Sequence, residues 1–145
     1  MIGILLVSHG KMAEGMKDSI ELIMGEVEQL NTVSLVAGED IEQFKLEVLN
    51  KTIELDTGDG VLVYVDLFGA SPYNATQYAS RELVDKNIEM KVLTGMNLPM
   101  LLESLVMREN YDIHSLVKIA KEAGQEGISE SVVVEVDEED SEGDY

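Results

Sequence analysis

Two stretches of the chain are apolar at nearly every position, residues 2–8 and 61–65. Runs of this length, rich in branched residues, read as strands buried on both faces of a sheet. Elsewhere the period changes. Met12, Met16, Ile20, Ile23 and Met24 recur at helical spacing over residues 11–25, with Gly25 as the stop, and the methionine stripe is expected to be core. Residues 30–36 alternate like a strand, and Asp40-Ile41-Glu42-Gln43 has the form of a capping box for a helix through Leu55. Asp56-Thr57-Gly58-Asp59-Gly60 is turn chemistry. Ser71 followed by Pro72 reads as an N-cap with proline at the first helical position, opening a helix to about Lys86. A short strand over 90–93, helices over 97–107 and 112–123, and a fifth strand over 131–136 complete the pattern.

Strands alternating with helices predict an α/β fold: a doubly wound, mainly parallel sheet with helices on both faces. A strand order of 2-1-3-4 makes strands one and three neighbours, with the topological switch between their carboxyl ends, where ligands collect in such sheets. His9 ends the first strand and Asp66 the third. Two side chains 57 positions apart are then expected to face one another across a crevice.

Composition narrows the function classes. The 145 residues suit one domain, expected over 1–136, and the net charge of −19 argues against binding nucleic acid. Residues 137–145 hold six acids and no base, which reads as a solvated, disordered tail; without those six charges the body stays acidic, at −13. No apolar run approaches a membrane span and no signal peptide is recognisable. Cysteine is absent, so disulfides, thiolate metal sites and thiol catalysis are excluded, and a cytoplasmic location is expected. With two histidines 105 residues apart, no metal site is expected either.

A histidine facing an aspartate has a defined use. The carboxylate accepts from one ring nitrogen, fixes the tautomer and leaves the other nitrogen outward as a nucleophile. The segment Asp66-Leu67-Phe68-Gly69-Ala70-Ser71-Pro72 adds an anion cradle: a glycine at 69 that lets the backbone approach closely, the amides of a helix N-terminus, and the Ser71 hydroxyl. Each residue also has a plainer reading, His9 as a satisfied structural residue, Asp66 as a turn former, Ser71 as a cap. Their convergence on adjacent strand ends favours phosphoryl transfer. The nucleotide-binding glycine loops are missing, and Gly69-Ala70-Ser71-Pro72-Tyr73 lacks the last glycine of a hydrolase elbow.

The segments around His9 (residues 4–10), Asp66 to Ala75 (65–75) and Asn97 to Pro99 (94–101) resemble the mannose-family enzyme IIA of the bacterial phosphoenolpyruvate:sugar phosphotransferase system. The resemblance runs from the first residue to about Gly127. It implies that His9 takes a phosphoryl group from the phosphocarrier protein HPr and passes it to a IIB component, which serves the membrane components IIC and IID. It further implies that Asp66 orients His9, that Gly69, Ala70 and Ser71 hold the phosphoryl group, and that no cofactor takes part. Lys11, Pro72, Asn97 and Pro99 would form a rim for protein partners. The fifth strand would cross to the partner in a homodimer, and IIB would be a separate polypeptide. Lys11 stands where some members carry tryptophan. Two other readings stay open: the phosphocarrier subunit of a dihydroxyacetone kinase, whose second motif lacks the Phe-Gly-x-Ser-Pro stretch, and a regulatory domain controlled by phosphorylation of His9.

Overall fold

A computed structural model describes residues 1–135. The chain runs β1 (Gly3–His9), α1 (Met12–Met24), β2 (Leu30–Leu35), α2 (Ile41–Leu55), β3 (Val61–Val65) and α3 (Ser71–Leu83). A 3-10 turn (Val84–Lys86), β4 (Met90–Leu93), α4 (Leu98–Met107) and α5 (Ile113–Glu126) follow. The four strands form one parallel sheet in the order β2-β1-β3-β4. The expected order 2-1-3-4 is the one observed.

Alternation along the two central strands divides the core. Ile4, Leu6, Leu62 and Tyr64 face α1, α4 and α5. Leu5, Val7, Val61, Val63 and Val65 face α2 and α3. All of these side chains are inaccessible to solvent, so both faces of β1 and β3 are covered and neither strand shows a polar period. Tyr64 keeps its hydroxyl in the core by bonding Ser104, and burial raises its pKa. At the opposite end of the sheet from His9, the guanidinium of Arg108 is almost fully buried. It donates to the carbonyls of Ile2 (3.3 Å), Gln29 (3.2 Å) and Glu28 (2.6 Å), tying α4 to the starts of β1 and β2.

Three expectations change. The methionine stripe of α1 is core only at its middle: Met16 packs partly buried against the core, Met12 and Met24 are exposed, and Ala13 and Ile20 are the fully buried residues. A helix lying close on a sheet takes a small residue at the contact, and the stripe's end members overhang the sheet. Ser71 is the first residue of α3 rather than its cap; Ala70 holds the cap position, without a side-chain bond, and Pro72 is second in the helix. The fifth strand is not formed within one chain. Residues 131–135 join no ladder, and Val132, Val133 and Val134 are exposed. Val136 and the acidic tail expected over 137–145 lie outside the described residues. No helix among the described residues is long and apolar enough to cross a membrane.

Candidate functional site

The parallel pairing of β1 with β3 brings Val7 opposite Val65, so the chains leave the sheet together and His9 meets Asp66. One carboxylate oxygen takes both contacts. Asp66 Oδ2 accepts from the backbone amide of His9 at 2.8 Å and lies 2.8 Å from the ring Nδ1. A carboxylate can only accept, so Nδ1 carries the proton and Nε2 presents its lone pair. The Asp66 side chain is only 10% exposed, against 48% for that of His9. The arrangement is a buried orienting group beneath an open nucleophile. The other oxygen, Oδ1, is buried and has no partner among the described residues.

The turn that carries His9 is anchored on three sides. Gly10, at φ +54°, takes the left-handed conformation that glycine adopts without strain, and its amide donates to Leu35 O at 2.8 Å. A residue the sequence reading passed over holds the third side. Ser8 is fully buried; its hydroxyl accepts from Ala13 N at 2.8 Å and donates to Gly10 O at 3.3 Å. The signal was available: Lys11 at the cap position of α1 has no oxygen to offer, so the cap must come from elsewhere.

Across the crevice, Gly69 has φ +81° and nothing within 4 Å of where a Cβ would stand. Its requirement is conformational, rather than close approach. The first turn of α3 then opens on Ser71 with no side chain capping its amides. No bond joins Ser71 to His9 or Asp66, so the direct contact at the site is between His9 and Asp66.

The residues expected at the rim are placed unevenly. Lys11 is exposed and Pro72 is buried. Asn97 caps α4 by accepting from Met100 N at 3.2 Å, and donates to Gly124 O at 3.1 Å in α5. Pro99 packs against Gly127, where a Cβ would come within 2.4 Å of its ring. The exposed apolar side chains near His9 are others: Met12, Val36, Leu67 and Phe68. Each lies within three residues of His9, of its ladder neighbour Leu35, or of Asp66. Phe68 is steadied by Tyr73, their ring centres 4.6 Å apart. The other histidine, His114, is in α5 and pairs with Glu89, away from this end of the sheet.

Comparison with known proteins gives a consistent result. Residues 3–121 match the family model described as the fructose IIA component of the PTS system. The chain is 38% identical over 128 residues to the mannose-specific EIIAB component of Escherichia coli. That match covers 88% of this chain and 38% of the relative, so this chain spans well under half the relative's length. The sorbose-specific EIIA component of Lacticaseibacillus casei is 34% identical, with 94% of this chain and 98% of the relative covered. Among solved structures, the phosphotransferase system component EIIA from Streptococcus agalactiae superposes with a TM-score of 0.82. It is 31% identical, over 90% of this chain and 97% of that one.

Proposed function

Since the chain belongs to the mannose-type IIA family of the PTS sugar phosphotransferase system, we propose that it is a phosphocarrier with His9 as the acceptor. The observation that carries this reading is the bond from His9 Nδ1–H to a largely buried carboxylate, with about half of the His9 side chain exposed. The Nε2 lone pair attacks the phosphorus of phospho-HPr. A nitrogen–phosphorus bond forms at His9 while the donor's own bond to phosphorus breaks, its electron pair leaving with the donor. The proton on Nδ1 stays in place, and Asp66 offsets the positive charge that develops on the ring. The same geometry run in reverse delivers the phosphoryl group to a IIB protein.

The uncapped amides at the start of α3, together with Ser71, Gly69 and Ala70, receive the phosphoryl oxygens, since a helix N-terminus favours negative charge. A carrier needs orientation and charge stabilisation rather than a base that activates water, because a phosphohistidine must outlive the exchange of partners. Lys11 with the exposed Met12, Val36, Leu67 and Phe68 forms the docking rim, and the acidic body attracts a basic donor. The location is cytoplasmic, where HPr is found.

The protein acts as a homodimer through residues 131–135. The free edge of β4 borders a cleft of about 460 Å³ lined by Val92, Leu93, Thr94 and Ile128. The exposed Val132, Val133 and Val134 of a second copy would supply the missing strand. The test of the proposed activity is a chase: phosphorylated protein, freed of donor, should lose its label to a mannose-family IIB protein and not to water. Retention of the label in the presence of IIB would contradict the reading.

A further inference from the structure

His9 ends β1, with Gly10 and Lys11 between it and α1, and the buried Ser8 hydroxyl spans the turn by bonding Gly10 and Ala13. By accepting from Ala13 N it caps α1 from the preceding strand. By donating to Gly10 O it holds the left-handed turn directly after His9. We propose that Ser8 is a positioning residue for phosphoryl transfer, acting on the His9 ring through the backbone; the proposal rests on the reading of His9 as acceptor.

Two donors of His9 share one acceptor. The amide and the ring Nδ1 of His9 both bond Asp66 Oδ2, at 2.8 Å each. Two donors on one residue reach one oxygen only over a narrow range of backbone orientation and side-chain rotation. Anything that lets the His9 backbone tilt separates them, and the ring is then free to rotate or exchange tautomer. Gly10 is the soft point, being glycine at φ +54° with open space around it. Two bonds restrain it: its amide to Leu35 O, and its carbonyl to Ser8. Loss of the hydroxyl removes the second restraint and strands the amide of Ala13, a residue with no exposed surface. A displacement of the nucleophile by a fraction of an ångström to one ångström is enough to slow transfer by up to roughly a hundredfold.

A cap alone would affect only stability, so the test separates the two roles. Ser8→Ala, Ser8→Thr and Asp112→Ala are compared; the last removes the side-chain cap of α5, far from His9. The first readout is ring 15N NMR of His9, which needs no phosphate. Wild type and Ser8→Thr should show one tautomer, with the proton on Nδ1. Ser8→Ala should show averaged tautomers and, at saturating phospho-HPr, transfer slowed by roughly ten- to a hundredfold with little change in KM. Asp112→Ala should lower thermal stability with ring signals and rate unchanged. Ser8→Gly, which also removes the hydroxyl, serves if Ser8→Ala does not fold. Wild-type ring signals in folded Ser8→Ala or Ser8→Gly overturn the proposal, as does a transfer rate in either variant equal to that of an active wild type. A ring loosened by Ser8→Ala in a protein whose wild type accepts no phosphate overturns the acceptor reading and leaves the positioning role standing.

Discussion

Asp66 holds His9 twice with one oxygen, bonding its backbone amide and its ring nitrogen, each at 2.8 Å, while its second oxygen is buried and has no partner among the described residues. The amide bond fixes where the residue is, and the ring bond fixes which way the ring faces. Asp66→Asn keeps an oxygen acceptor at this position and removes the charge. The expected result is a fold and melting temperature close to wild type with phosphoryl acceptance slowed by roughly a hundredfold. Stopped or quenched single-turnover transfer from phospho-HPr reads the rate, and an unchanged rate would show that the carboxylate charge plays no part.

That pairing was largely legible in the sequence because the fold was. Two apolar runs ending in His9 and Asp66 announce two central strands, and parallel order places their ends together. What the sequence concealed was local hydrogen bonding. Ser8 looks like one more small residue in a buried run, and its two bonds depend on the left-handed turn at Gly10. Ser71 and Pro72 suit a cap and the residue after it, yet the helix begins one residue earlier than that reading, since Ser71 already belongs to it. Met12 and Met24 keep helical spacing but overhang the sheet, because periodicity gives a face and not its extent. Residues 131–135 have strand composition, but a strand forms only against an edge, and a single chain leaves them unpaired.

Arg108 is the main polar group in the core at the far end of the sheet. Its guanidinium donates to three carbonyls, of which Gln29 O also accepts from the amide of Ile4, and burial lowers its pKa. Arg108→Met should cost about 2–4 kcal/mol in chemical unfolding, since it leaves those carbonyls short of donors. Transfer by the folded fraction should be unchanged. Wild-type stability would show that water replaces the guanidinium without loss.

Glu47 carries a pH-dependent penalty. Partial burial, and after it the nearby Glu39 carboxyl, raise its pKa above the ordinary value. The folded state therefore holds this proton more tightly than the unfolded chain does. Its contribution favours folding below the ordinary carboxylate value and fades as pH rises through the folded one. Glu47→Gln should raise stability at neutral pH and have little effect where Glu47 is already protonated. Denaturant midpoints measured at both ends of that window check the sign; equal effects at both would contradict it.

A chain ended at Glu130 tests the proposed exchange. It removes the exposed Val132, Val133 and Val134 and, among the described residues, none of the core. Sedimentation should find a dimer for the full chain and a monomer for the shortened one, with the sheet signal of circular dichroism largely kept. A dimer of unchanged affinity after truncation would place the interface elsewhere.

In the proposed mechanism the outward nitrogen of His9 carries the phosphoryl group. The most direct test is intact-mass spectrometry, at alkaline pH, of wild type and His9→Ala after incubation with phosphoenolpyruvate, enzyme I and HPr. One added phosphoryl group on the wild type and none on a folded His9→Ala is the predicted result. The same addition on His9→Ala, or none on the wild type, would contradict it.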